Sequence, residues 1–153
     1  RNMTQIVFSI IGLLFGGIIY VLVLLVWLIL LVIARWMVFA KAGEPGWKSL
    51  IPIYNTYTSY KIAWTSDMFW LSLIFSFMSS FLRSMGGDGF SIMAMLGGIC
   101  SIVTVVITFM YCLNLAKSFG KGLLFGIGLW LFEPVFMMIL GLGSARYQGR
   151  RHY

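Results

Sequence analysis

The sequence predicts an all-α integral membrane protein: a single domain (residues 1–153) with a bundle of four membrane segments and an interfacial amphipathic loop. Composition is the first reason, since 61% of the 153 residues are hydrophobic and only 10% are charged, whereas soluble domains are about half apolar and a quarter charged. The second reason is that the apolar residues form long uncharged runs. The third is that basic residues lie at the ends of those runs, where they can reach lipid headgroups. Most of this surface is therefore expected to face lipid.

The first membrane segment is predicted over residues 6–34, and Arg35 ends it. Its length corresponds to roughly 44 Å of helix, against a hydrocarbon core of about 30 Å. The helix must therefore tilt, break or leave the bilayer. Because the chain begins with Arg1 rather than Met, we expect a piece of a longer chain or added residues at the start. The first apolar run is too long for the core of a signal peptide and has no clear small-residue cleavage site, so we expect a retained span. Bending or close packing is favoured by three glycines: Gly12, Gly16 and Gly17.

A polar loop over residues 35–61 follows, and its centre reads KAGEPGWKSLIPIYNTY. Its aromatic and basic residues alternate, as is typical of a membrane–water boundary. Gly43 and Gly46 flank Glu44-Pro45, which favours a tight turn, and Pro52 is expected to prevent a regular helix. The loop is either a docking surface for a partner or lipid headgroups, or an elbow that closes the bundle. The candidate docking residues are Lys41, Glu44, Pro45, Gly46, Trp47, Lys48, Pro52, Tyr54, Asn55 and Tyr57.

The second and third segments are predicted over residues 62–82 and 90–116, with the turn RSMGGDG between them. Each segment carries small and polar residues at helical spacing, which predicts one small polar face on each helix. We expect these faces to meet and to form hydrogen bonds across the contact; the alternative is chance in a sequence rich in small residues. The packing residues are Ser72, Ser76 and Ser80 on one helix, and Gly97, Ser101, Thr104 and Thr108 on the other.

The last segment, residues 123–142, has Glu133-Pro134 at its middle and is followed by a basic tail, residues 144–153. Because proline removes a backbone donor, two interpretations remain open: a full span, or a re-entrant hairpin that folds back at Glu133. A full span puts six basic residues on one side and five on the other. A re-entrant hairpin puts nine on the side of loops 35–61 and 117–122, leaving Arg1 and Arg83 opposite. We expect those two loops to be cytoplasmic, in a bacterial cytoplasmic membrane.

Glu133, with Pro134, is the candidate intramembrane polar site. An acid at mid-membrane costs about 2.5–3.5 kcal/mol on insertion scales, so such residues tend to be functional. Glu133 is either a proton or cation site, or it pairs with a basic group on a partner protein. The structural alternative is a protonated carboxyl bonded to a serine or a backbone carbonyl, since burial raises a carboxyl pKa.

No enzymatic signature was found. The lysines lie at turns rather than beside a serine within a span, and there is no HExxH, CxxC or P-loop motif. We therefore expect no catalytic residue, no cofactor and no metal site. Cys100 and Cys112 lie roughly 18 Å apart on one helix, too far for a disulfide. The formal charge of +7 is explained by basic residues at the ends of the spans, so nucleic acid is not an expected partner.

Three motifs carry a family resemblance: FAKAGEPGWKSLIPIYNTY, LAKSFGKG and GLGSARYQG. In order and spacing, over roughly residues 33–149, they resemble an uncharacterised bacterial family of small polytopic membrane proteins, a domain of unknown function. Some members of that family are joined to, or bear the name of, signal peptidase I. No Ser/Lys peptidase site fits within these spans, so the resemblance implies a membrane module without assigned chemistry.

The leading functional hypothesis is a non-enzymatic accessory, scaffold or assembly subunit. Its partners would be membrane lipids and either another membrane protein or a second copy of itself. The small-residue faces and the aromatic, basic loop motivate this hypothesis. The alternatives are a small channel or transporter that uses Glu133, and an immunity or membrane-stress protein.

Overall fold

The computed structural model describes residues 2–87, 89 and 91–150, and 84% of these residues are helical, with no strand among them. The predicted all-α class is confirmed, and three of the described helices are long and apolar enough to cross a membrane: Met3–Lys41, Ser66–Gly86 and Ile92–Ser118. Outside the described residues lie residue 1, residue 88 of the predicted turn, residue 90 of the predicted third segment and residues 151–153 of the predicted tail. The helices are α1 (Met3–Lys41), α2 (Pro52–Ala63), α3 (Ser66–Gly86), α4 (Ile92–Ser118), α5 (Leu123–Leu131) and α6 (Glu133–Leu142).

Helix α1 is longer than the apolar run that predicts it. It continues through Arg35 to Lys41, because residues 35–41 contain no helix breaker. Gly43 ends it with a φ of 79°, a conformation that glycine adopts without steric cost. Every residue from 3 to 30 is exposed, and within the described chain α1 contacts only α2, α6 and the short 3₁₀ helix Gly46–Leu50.

Helix α2 corrects the expectation for Pro52. This proline does not prevent a helix but begins one, as the first residue of α2. The first turn of a helix has N–H groups without intrahelical partners, so the missing donor costs nothing there. The helix packs against α3 and α4 and carries Tyr60 and Ala63 into the main buried core, where they join Phe69, Leu115 and Leu140.

Helices α3 and α4 pack against each other along a face of small residues. Ser79 donates a hydrogen bond to the carbonyl of Gly97 (2.9 Å), and its Oγ lies 2.6 Å from that of Ser101. The predicted faces therefore meet, but the serine in the contact is Ser79, while Ser80 is exposed. Spacings of four and three residues follow a 3.6-residue helix, whereas repeated steps of four drift off its face.

The predicted last segment is two helices rather than one. The chain breaks at Phe132, whose φ of −133° and ψ of 58° are not helical, and Pro134 lies in the first turn of α6. Helix α5 runs back along α4, since a Cβ at Gly126 would contact Leu113 and the rings of Trp130 and Phe109 lie 5.6 Å apart.

Helix α6 then folds back on α5. The ring of Phe136 lies 5.0 Å from that of Phe125. Beyond α6, the N–H of Gln148 donates to the carbonyl of Ser118 at 2.6 Å. Helices α5 and α6 thus form a hairpin whose two ends meet beside the end of α4.

Candidate functional site

A polar cavity of about 320 Å³ lies where α1, α2, α3, α4 and α6 converge. Each of its lining side chains carries a polar or charged group, in a chain whose described surface is otherwise rich in exposed apolar residues. Several lining residues are exposed, so the cavity is open to its surroundings. The lining residues are Arg35, Asn55, Thr56, Ser59, Tyr60, Ser72, Ser76, Thr104, Thr108, Tyr111 and Glu133.

An ion pair between α1 and α6 forms part of the lining. The Nη2 atom of Arg35 donates to Oε1 of Glu133 at 2.9 Å, with side-chain exposures of 32% and 48%. The sequence predicted a basic group on a partner protein as one alternative for Glu133, whereas the basic group that binds Glu133 in the structure belongs to the same chain. Arg35 is predicted only as the end of the first span. The charge of Arg35 is opposite to that of Glu133, which is the one sequence signal that could have paired the two residues.

The hydroxyl groups of the cavity wall bond to carbonyl groups of their own helices. Thr108 donates to the carbonyl of Thr104 (2.9 Å), Ser72 to that of Phe69 (3.1 Å), and Ser59 to that of Asn55 (2.7 Å). Each hydroxyl oxygen keeps acceptor capacity after donating its hydrogen. The wall can therefore accept hydrogen bonds, while Arg35 and the Asn55 amide can donate them.

Two buried tyrosines form the inner part of the cavity. The rings of Tyr60 and Tyr111 stack with centroids 4.4 Å apart and planes 18° from parallel. Tyr60 interacts with Ser72 and Thr108, and Tyr111 interacts with Ser59. The tyrosines thus connect the hydroxyls of α2, α3 and α4 into one polar surface. No sequence motif singled out these tyrosines or Ser59.

Four of the predicted helix-packing residues line this cavity, and two others form the contact between α3 and α4. Gly97 and Ser101 lie at that contact, opposite Ser79. Ser80 faces away from it. The structure therefore divides the predicted polar faces between a packed region and an open one. The four in the cavity are Ser72, Ser76, Thr104 and Thr108.

The loop between α1 and α2 is held in place by ion pairs and by close packing. Glu44 accepts hydrogen bonds from Lys48 (2.8 Å) and Lys61 (2.6 Å). These bonds, first that of Lys48 and then that of Lys61, lower the pKa of the Glu44 carboxyl. Gly46 lies against the indole of Trp36, where a Cβ would overlap the ring. This arrangement agrees with an elbow that closes the bundle.

Lys41 connects the end of α1 to the end of α6. Its Nζ donates to the carbonyls of Leu140 (2.7 Å) and Gly143 (2.8 Å), acceptors that the end of a helix leaves without intrahelical partners. Together with the pair of Arg35 and Glu133, Lys41 fixes α6 against α1.

The remaining candidate residues of the loop fall into different surroundings. Asn55 is buried and lines the cavity rather than an outer surface. Tyr57 packs on Phe69 with ring centroids 5.5 Å apart. An exposed aromatic pair remains at the surface, with the rings of Trp47 and Tyr54 6.0 Å apart. Pro45 and Pro52 are exposed, and Pro134 is half-buried.

Comparison with known proteins identifies a family whose function is unknown. A profile described as a family of unknown function, DUF5684, matches residues 47–150. The chain belongs to this family. The match covers the cavity walls supplied by α2, α3, α4 and α6, and it begins after Arg35, later than the predicted start near residue 33. It carries no link to signal peptidase I. No curated protein and no solved structure matches the chain.

Proposed function

We propose that this protein is a small membrane channel or transporter, without enzymatic chemistry, that binds a polar solute in the cavity and passes it through the membrane. The observation that carries the proposal is the cavity itself, about 320 Å³ lined by polar side chains from five helices. Lipid chains cannot satisfy such groups. Ionisable residues within membrane segments mark substrate and ion pathways, and Glu133 with Arg35 is such a pair.

In this proposal α1, α3 and α4 cross the membrane, and the hairpin of α5 and α6 re-enters it. The hairpin arms have 9 and 10 residues, or about 14 and 15 Å of helix, which is half of a hydrocarbon core of about 30 Å. Broken helices near the midplane are a common way to build transport sites. Glu133 would then lie at the inner end of the hairpin.

The orientation follows from the distribution of basic residues. With a re-entrant hairpin, the tail lies on the same side as loops 35–61 and 117–122. Apart from Arg35, which pairs with Glu133, that side carries eight basic residues, against Arg1 and Arg83 on the other. The positive-inside rule then makes it cytoplasmic, in a bacterial cytoplasmic membrane. A C-terminal tag that labels only from the outside of intact cells would contradict this topology.

Flux through proteoliposomes tests the transport function. The purified chain is reconstituted and scored for proton, sodium, potassium and small polar solute uptake against protein-free liposomes. We expect uptake above that background, reduced at least tenfold by Glu133→Gln. The matched control is Glu44→Gln, the same chemical change outside the cavity, which should leave uptake within twofold of the natural sequence. Equal uptake by the Glu133→Gln variant would overturn the proposal.

A second candidate function is that of an assembly subunit. It is supported by α1, whose residues 3–30 are all exposed and which makes no contact with α3, α4 or α5 in the described chain. A membrane protein, or another copy of this chain, would pack on this helix. Purification in mild detergent followed by mass measurement tests it. A monodisperse monomer without a co-purifying protein would contradict it.

A further inference from the structure

We infer that the ligand of the cavity is a compact zwitterion, a small molecule with one acidic and one basic group, held between Arg35 and Glu133. This inference rests on the proposed solute-binding function and names the class of solute. The acidic group would bind the guanidinium, and the basic group would bind the carboxylate.

The charges of the cavity lining support a zwitterion over a simple ion. The lining contains one guanidinium, Arg35, and one carboxylate, Glu133. A bound anion would take Arg35 and leave Glu133 without its partner, and a bound cation would do the reverse. Leaving one member of a partly buried charge pair unmatched is costly. A zwitterion gives both side chains a new partner of opposite charge at the same time.

The ion pair is arranged so that a ligand can reach it. Its bond joins one nitrogen of Arg35 to one oxygen of Glu133, whereas a guanidinium and a carboxylate can form two parallel bonds. The side chains are 32% and 48% exposed. Both partners thus keep hydrogen-bonding capacity and can be approached from outside.

The size and lining of the cavity indicate a small and polar frame between the two charges. Ligand cavities span about 300–1,000 Å³, and this one, at about 320 Å³, lies at the small end. Ser59, Ser72 and Thr108, which carry hydroxyl groups in place of aliphatic side chains, line it. A molecule of amino-acid size fits these conditions, either as a free solute or as the ethanolamine phosphate headgroup of a lipid.

Binding of matched ligands tests the inference. The full chain is placed in nanodiscs of phosphatidylglycerol, which has no zwitterionic headgroup, and titrated calorimetrically with glycine, β-alanine and γ-aminobutyrate. Propionate and ethylammonium serve as the two half-ligands. We expect saturable binding of at least one zwitterion, at least tenfold tighter than that of either half-ligand. A half-ligand that binds as tightly as the best zwitterion would overturn the inference.

Variants locate the binding in the cavity. Arg35→Gln and Glu133→Gln should each weaken zwitterion binding at least tenfold, and the control Glu44→Gln should leave it within twofold. The double variant Arg35→Glu with Glu133→Arg keeps one charge of each sign and should bind within tenfold of the natural sequence. Circular dichroism confirms that each variant is folded. Unchanged binding in both single variants would overturn the inference.

A lipid arm separates the two sources of a zwitterion. Nanodiscs that contain phosphatidylethanolamine should compete with the free zwitterion if the ligand is a headgroup, and should not compete if it is a free solute. Absence of zwitterion binding and of headgroup competition would overturn the inference. If uptake sensitive to Glu133→Gln persisted in that case, the transport function would stand without it. Zwitterion binding without any uptake would support the inference and contradict transport.

Discussion

The helix pair α3 and α4 is closed towards the turn that joins the two helices and open towards α2, although the same residue types line both regions. In the closed region Ser79, Gly97 and Ser101 bring the helices together through hydrogen bonds of 2.9 and 2.6 Å. In the open region Ser72 and Thr108 face a cavity, because the tyrosines of α2 and α4 and the ion pair of α1 and α6 converge there. Small polar residues on a pair of apolar helices therefore indicate either a packing contact or a cavity. The other helices that pack on the pair, here α1, α2 and α6, decide which of the two forms.

The two carboxylates Glu44 and Glu133 repeat this contrast. Glu44 is held by two lysines and is 15% exposed. Glu133 is held by one bond to Arg35 and is 48% exposed. The carboxylate of Glu44 is therefore largely enclosed by its two lysine partners and stabilises the fold. The carboxylate of Glu133 remains accessible to a ligand.

Gly97 should show the largest effect of the substitutions considered, because it lies directly against α3 in the closed region. An added Cβ there would lie 2.9 Å from Cγ of Arg83 and 3.1 Å from the carbonyl oxygen of Ser79. We expect Gly97→Leu to lower the free energy of unfolding by about 1–3 kcal/mol, measured by denaturation in detergent. The matched control is Gly98→Leu, since nothing lies within 4 Å of a Cβ there. An equal loss of unfolding free energy in Gly97→Leu and Gly98→Leu would mean that α3 and α4 are not in close contact at Gly97.

The sequence predicted the helical class, which depends on local periodicity. It named Gly97 and Ser101 on the α4 side of the contact, but on α3 the contact uses Ser79 and none of the predicted serines. It did not predict how the last apolar run is divided, since the residues on both sides of Phe132 are strongly apolar. For Pro134 the sequence left a full span and a break both open, and for Pro52 it wrongly predicted that no regular helix would form. The reason is the position of the proline in the helix. Proline has no backbone N–H, which interrupts the hydrogen bonds of a helix interior but costs nothing in the first turn, where those N–H groups have no intrahelical partner.

Glu44→Gln should show the next largest effect, about 1 kcal/mol at neutral pH. Hydrogen bonds from Lys48 and then Lys61 hold the pKa of Glu44 below its ordinary value of 4.5. A lowered pKa in the folded state gives stability that is fully present above 4.5 and is lost as the pH falls through the lowered value. The stability difference between the natural sequence and the variant should therefore shrink in acid. A difference that is constant between pH 7 and pH 3 would show that the charge of Glu44 does not contribute.

Ser79→Ala should cost less, about 0.6 kcal/mol, the mean for hydrogen bonds between membrane helices. The variant loses the bond to the Gly97 carbonyl and the contact with Ser101. The neighbouring Ser80→Ala is the control, since Ser80 is exposed and should leave the unfolding free energy unchanged. The reverse result, a loss only in Ser80→Ala, would restore the packing face that the sequence predicted.

The cavity could be predicted only in part. Glu133 stood out because an acid in an apolar run is costly, and Ser72, Ser76, Thr104 and Thr108 stood out by spacing. The sequence could not place Tyr60, Tyr111 and Arg35 beside them, because those contacts join residues that are far apart in the chain. Tertiary packing, rather than any local pattern, assembles a site from one or two residues of each helix.

Thr108→Val should have the smallest effect on stability, under about 0.5 kcal/mol. The Thr108 hydroxyl donates within its own helix and interacts with Tyr60 at the wall of the open region, away from the close contact of α3 and α4. Its effect should instead fall on the cavity, where a methyl replaces an acceptor oxygen. We expect several-fold weaker solute binding or uptake with an unchanged thermal midpoint. Ser79→Ala is the counterpart, since it should lower stability and leave binding intact. If both variants changed stability and neither changed binding, the two regions would be one continuous packing face, and the contrast between them would not hold.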